Sequence, residues 1–206
     1  MPGRTILFDL DGTLLDSIPL ILASFRHTVR AHGAAPVADD RWLESIGQSL
    51  RSQLATIARD DAELEAMMAT YRDHYVAHHD DHVRAFPGVR DALTRLRARG
   101  VKMGIVSGKV RRGIERGLRH TGLAEFFDAL VGADDLAEHK PHPAPLLRAA
   151  EAIGAVDAVY VGDAPADMEA ARRAGMQSVA CLWGPFDRAV LEADRYLTRV
   201  PELATL

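Results

Sequence analysis

The chain has 206 residues, is 48% hydrophobic, and carries a formal net charge of −4 with a single cysteine, Cys181. Intrachain disulfides are therefore excluded, a broad nucleic-acid surface is not expected, and a soluble globular protein of the reducing cytoplasm is. No apolar stretch approaches a membrane span, and the amino-terminal run MPGRTILFDLDG is too soon interrupted to pattern as a secretory signal.

In chain order, the first apolar run, Thr5–Phe8, reads as a buried strand, and two aspartates, Asp9 and Asp11, follow it at once. Residues 18–85 then break the strand rhythm. They hold no convincing strand and pattern as helices over Ile18–Ala31, Asp39–Ile46, Leu50–Ala58 and Ala62–His79. From Phe86-Pro87-Gly88 onward, short apolar runs at Val101–Val106, Ala129–Val131, Ala158–Val161 and Ser178–Leu182 alternate with helical patterns at Val89–Arg99, Val110–His120, Ala144–Ile153 and Ala166–Ala174. Strand–helix alternation predicts a Rossmann-like α/β fold, a mostly parallel sheet with helices on both faces. The expected division is a core of residues 1–17 and 86–206, with residues 18–85 an all-helical domain inserted after the first strand.

Four strand ends carry polar residues. Asp9 and Asp11 end the first, Ser107-Gly108-Lys109 the next, Lys140-Pro141 follows the middle strand, and Asp163 with Asp167 ends the fourth. Ligands of such sheets bind at the carboxyl ends of the strands, so these groups converge on one crevice. Paired carboxylates there are costly unless a cation neutralises them. Phosphoryl transfer uses such a set. A carboxylate attacks phosphorus, a second exchanges the proton, a hard cation is held by oxygens, and hydroxyl, amide and ammonium groups hold the phosphoryl oxygens. Only three of the 25 basic residues are lysines, Lys102, Lys109 and Lys140, and two of them fall at these strand ends.

The motifs Asp9-Leu10-Asp11-Gly12-Thr13, Ser107, Lys140-Pro141 and Gly162-Asp163-Ala164-Pro165-Ala166-Asp167 occur in the order that marks the haloacid dehalogenase superfamily, and the chain resembles its phosphohydrolases over essentially its whole length. The stretches TILFDLDGTLLDSIPLILASFRHT, HHDDHV and GLRHTGLAEFFDALVGADDLAEHKPHPAP are similar to the superfamily's bacterial inorganic pyrophosphatases, which in turn resemble phosphoglycolate phosphatases. The resemblance implies Mg2+ as cofactor and a small phosphorylated substrate, hydrolysed through an aspartyl-phosphate. It implies Asp9 as nucleophile and metal ligand, and Asp11 as general acid/base lending its backbone carbonyl to the metal. Asp163 would ligate the metal directly and Asp167 through water. Gly12, Thr13, Ser107, Gly108 and Lys140 would hold the phosphate, with Ser107 and Lys140 taking part in catalysis. Residues 18–85 correspond to the small helical cap of one superfamily branch, and Arg51 within them is a candidate for substrate contact, as are Arg26 and His27. Two positions depart from the pattern. Gly108 stands where Asn or Thr is usual, and Ala164 where Ser or Asn is.

Each residue also has a plainer reading. Asp-Gly is a common turn pair, Ser107 can cap the following helix, and Asp167 suits a helix first turn. His74, His78, His79 and His82 suggest a metal site by spacing, but a solvated helix face is the simpler account. His139 and His142 read as loop polarity, Trp42 and Trp183 as packing residues, and Arg51 equally as a surface ion pair. Competing functions are a sugar phosphomutase of the same superfamily and a non-catalytic relative acting as a binding protein. Asp11 argues against a dehalogenase, and the lack of lysine in residues 18–85 against a Schiff-base phosphonate hydrolase. Oligomeric state is not legible.

Overall fold

In this computed structural model, residues 5–206 are described. β1 (Thr5–Phe8) lies at the centre of a six-stranded sheet. β4 (Lys102–Val106) and then β5 (Ala129–Val131) flank it on one side. On the other side come β6 (Ala158–Gly162), β7 (Gln177–Cys181) and β8 (Arg195–Leu197), all parallel. β1 is buried throughout, as a strand covered on both faces must be. Its side chains alternate between two hydrophobic clusters, Ile6 and Phe8 in one and Leu7 in the other.

The helices divide accordingly. α5 (Val89–Ala98) and α6 (Arg111–His120) send Leu93, Leu96, Ile114 and Leu118 into the first cluster. α7 (Ala144–Ile153) and α8 (Pro165–Arg173) send Leu146, Ala149, Ile153, Ala170 and Ala171 into the second. The chain runs outward from β1 through β4 and β5, then returns to β6 on β1's other side. This reversal places a crevice at the carboxyl end of β1.

Between β1 and β4 lie α1 (Ile18–Ala31), α2 (Asp39–Leu43), α3 (Leu50–Leu54) and α4 (Asp61–His82). Asp60 caps α4, its side chain accepting a 2.8 Å bond from Glu63 N. Phe25 of α1 stacks on Trp42 at 4.2 Å between centroids and meets Tyr71 of α4 at 4.9 Å, so Trp42 is a packing residue. The chain enters this helical insertion at β2 (Leu15–Asp16) and leaves it at β3 (Arg84–Ala85), which pair antiparallel. β3 corrects the expectation that residues 18–85 hold no strand. Two residues carry no periodicity, and only their partner across the sequence makes them a strand. β8 was likewise unread, a three-residue edge strand opening on arginine. Among the described residues, no helix is long and apolar enough to cross a membrane.

Candidate active site

Asp9 is the first residue beyond β1, its N–H donating to the Val161 carbonyl at 2.8 Å. Asp163 is the first beyond β6, the strand beside it. Their carboxylates meet that of Asp167, from the first turn of α8, with ligand oxygens all within 4.8 Å of one another. All three side chains are buried. Burial raises the Asp9 carboxyl to about 7 against the opposing pull of Lys140, with Asp167 and Asp11 adding to the rise. Burial, and then the charges of Asp9 and Asp167, push Asp163 well above the carboxylate range.

Lys140 is the buried counter-charge, its Nζ 2.9 Å from Asp9 Oδ1 and 2.6 Å from Asp167 Oδ1. Burial alone would lower its pKa, but Asp167 and Asp9 outweigh it and hold the ammonium well above its ordinary value. One ammonium does not balance three carboxylates. Among the described residues, Asp163 Oδ2 is buried with no hydrogen-bond partner, and Asp9 Oδ1 is close enough to Lys140 for an ion pair yet has no donor aligned on it. Three carboxylates around orphaned oxygens form a hard donor set that fits a divalent cation such as Mg2+. Gly12, at φ +82°, keeps this space open, since a Cβ there would lie 2.3 Å from Asp163 Oδ2.

The Asp11 carboxylate stands outside this cluster. Its Oδ1 accepts from the Ser17 hydroxyl and, at 2.5 Å, from Lys109 Nζ. Lys109 also donates to the Tyr75 hydroxyl of α4 at 2.8 Å. Oδ2 of Asp11 accepts no hydrogen bond from the described residues. Thr13 Oγ1 donates to Asp163 Oδ1 at 2.5 Å, and Trp183 Nε1 donates to the Thr13 carbonyl at 3.0 Å. Trp183, read from sequence as packing, thus also steadies the first-motif loop.

Ser107 is buried at the end of β4. Its Oγ accepts from Lys109 N at 3.2 Å, and Val110 rather than Ser107 holds the N-cap position of α6. The helix begins three residues later than the capping reading required. Asp167 takes bonds from the N–H groups of Asp163 and Ala164, at 3.2 and 3.0 Å, so its first-turn and cluster positions are the same geometry. The Lys140–Pro141 peptide is cis.

Both departures from the motif pattern lie under the loop between α2 and α3. A Cβ on Gly108 would fall 2.4 Å from the Gln48 carbonyl oxygen and 2.9 Å from that of Gly47. A Cβ on Gly47 would lie 3.5 Å from the Ala164 Cβ and 3.7 Å from that of Ala166. Small residues at 108 and 164 thus let the insertion's backbone rest on the second and fourth motifs.

The remaining candidates separate. Arg51 lines the cavity above the strand ends but is half-exposed and bound to Glu65 at 2.5 Å. Arg26 pairs with Asp39 at 2.5 Å, outside that cavity. His27, His74 and His78 form a stack with successive centroids 4.3 Å apart. The solvated-face reading fails for His79, which is buried and bonds Asp80 at 2.6 Å. His139 lines the cavity, while His142 accepts from Ala144 N at 3.2 Å. Sequence reasoning missed Tyr75, Ser17 and Tyr160. Tyr160 accepts from Lys140 at 3.0 Å and donates to the Val106 carbonyl at 3.1 Å. Its hint was a lone hydroxyl within the apolar run AVYVG.

The profile of the haloacid dehalogenase-like hydrolase family matches residues 6–181, a span holding every strand-end group above. The chain belongs to the haloacid dehalogenase-like hydrolases. Among relatives of this family, the Pyrophosphatase PpaX of Oceanobacillus iheyensis is 38% identical over 195 residues, covering 94% of this chain and 90% of that protein. A hydrolase from Pseudomonas syringae superposes with a TM-score of 0.89 at 29% identity, covering 98% of this chain and 96% of that one. A haloacid dehalogenase-like family hydrolase from Streptococcus pneumoniae superposes at 0.83 with 26% identity, covering 98% and 97%. The parallel sheet with its helical insertion is thus the fold of this hydrolase family.

Proposed function

We propose that this hydrolase is a Mg2+-dependent phosphohydrolase working through an aspartyl-phosphate, with inorganic pyrophosphate and phosphoglycolate the first substrates to assay. The observation that carries the reading is the buried cluster of Asp9, Asp163 and Asp167, with an Asp163 oxygen unpaired among the described residues and Lys140 against Asp9 and Asp167. The relatives' name supports pyrophosphate.

Asp9, Asp163, Asp167 and the Asp11 backbone carbonyl would hold the ion, which when bound offsets the repulsion between carboxylates and phosphate. Asp9 attacks phosphorus as the bond to the leaving oxygen breaks. Asp11 Oδ2, which has no donor among the described residues, gives its proton to that leaving oxygen. Water then attacks the same phosphorus, Asp11 takes its proton, and the bond to Asp9 breaks to free phosphate. Ser107, the Gly108 amide and Lys140 hold phosphoryl oxygens. Gly12 and Thr13 fix the loop carrying Asp11. Residues 18–85 act as a cap on a core of residues 1–17 and 86–206, excluding water when seated. The two short strands β2 and β3, where the chain crosses between these parts, support that division.

Phosphate release from pyrophosphate, phosphoglycolate, sugar phosphates and nucleotides, with Mg2+, EDTA and Asp9→Asn arms, tests this. Turnover of at least one compound should be lost in EDTA and fall by on the order of 10⁴-fold or more in Asp9→Asn. Undiminished turnover in either arm would remove the mechanism, and silence across the panel would leave the chain a binding protein.

A further inference from the structure

Above Asp9, Asp11 and Ser107 the helical insertion and the strand ends enclose a cavity of about 850 Å³. That volume lies in the range of pockets for sizeable organic ligands. Of the phosphate-holding groups, Ser107 and Gly108 line it beside Asp9 and Asp11. Phe25, Met68, Tyr71 and Val76 line it from the insertion, and Val110 lines it from the core. Val76 and Val110 are 49% and 37% exposed, two of the few large hydrophobic side chains left open to solvent among the described residues. Single exposed apolar residues are ordinary. These two stand in the walls of one cavity, on different elements, beside further apolar side chains.

Arg51, Arg72, Arg112, Arg116 and Arg119 line the same cavity, and Arg51, Arg116 and Arg119 are paired with Glu65, Asp80 and Glu115. The arginines can meet an anion, but the apolar side chains offer nothing to pyrophosphate. An ion whose oxygens all seek hydrogen bonds gains nothing from valine, methionine and phenylalanine, and loses water against them. We infer that the cavity accepts a phosphate monoester whose leaving group is a sizeable apolar body, aliphatic or aromatic, larger than that of phosphoglycolate. The inference rests on the phosphohydrolase reading and names the substrate class of the same site. The phosphoryl group sits at Ser107 and Gly108, the leaving oxygen faces Asp11, and the apolar body fills the space beneath α1 and α4. Binding energy from that remote body can be used in the transition state, so its effect belongs in kcat/KM.

A series of n-alkyl phosphates from ethyl to hexyl tests this, because the leaving alcohols differ little in acidity while apolar area grows. In the wild-type protein with Mg2+, kcat/KM should rise by up to roughly fourfold per methylene. Val76→Asp should flatten that slope, and Val156→Asp, at an 89% exposed position outside the cavity, should retain it. A flat series in the wild type, with ethyl phosphate or pyrophosphate still hydrolysed, overturns the inference alone. So does an unchanged slope in Val76→Asp. No turnover of any compound, pyrophosphate included, overturns the phosphohydrolase reading and the inference with it.

Discussion

Gly108 and Gly12 are held to glycine by different physics. At Gly108 the backbone is ordinary and the obstacle is the Gln48 carbonyl, 2.4 Å from where a Cβ would stand. Gly108→Thr should therefore push the insertion's loop away from Ser107. We expect a loss of about 1–3 kcal/mol in denaturant unfolding, the range for forcing atoms into filled space, together with a higher KM for whichever substrate is turned over. Unchanged stability and KM would mean the loop is not seated there in solution. At Gly12 the positive φ and the Asp163 carboxylate act together, so Gly12→Ala combines backbone strain with closure of the space between carboxylates. Trp183 works at longer reach. Trp183→Phe keeps most of the ring but removes the donor to Thr13, and kcat should fall with little change in thermal midpoint. A midpoint drop with kcat intact would make it a packing residue after all.

At the scale of elements, α1 and α4 share a seam that is partly acid-sensitive. His74 Nδ1 bonds Ser24 Oγ at 3.0 Å, and its ring stacks between His27 and His78. Burial lowers the His74 pKa below 6.5, and the neighbouring imidazoles lower it further. The unfolded chain then takes up this proton first as pH falls. His74's contribution is complete above pH 6.5 and is lost as pH falls through 6.5 toward the lower folded value. His74→Gln should accordingly lose less thermal stability than wild type between pH 7.5 and 5.5. An equal or larger loss would place the acid sensitivity elsewhere. This seam also shows what sequence could reveal. The spacing of His74 and His78 put them on one helix face, but nothing local told that His79 turns inward to Tyr75 and His120. The strand-end residues were legible because each follows directly on an apolar run, and a parallel sheet gathers such ends by topology. Tyr75 meeting Lys109, and Gln48 resting on Gly108, were not, since these contacts join separate elements and leave no period or motif in either.

For the whole molecule, the cluster of Asp9, Asp163 and Asp167 places uncompensated charge at the point where both halves of the sheet meet. Mg2+ at a hundred times its dissociation constant should stabilise the fold by ~2.7 kcal/mol, which for a chain of this size raises the thermal midpoint by roughly 5–10 °C. Asp163→Asn removes one repelling carboxylate, so the metal-free midpoint should rise while the Mg2+ response shrinks. A full response in that variant would move the cation off Asp163.

The scarcity of lysine has a practical side. Lys140 is buried, and Lys109 is tied to Asp11 and Tyr75. Lys102, by contrast, is exposed at the start of β4, the opposite end of that strand from Ser107. Among the side-chain amines, an amine-reactive surface would thus grip this protein mainly by Lys102, whose Nζ gives up only a 2.9 Å bond to the Ile153 carbonyl when it reacts. The molecule would be tethered by the back of its sheet, with the mouth of the cavity turned outward to passing solute.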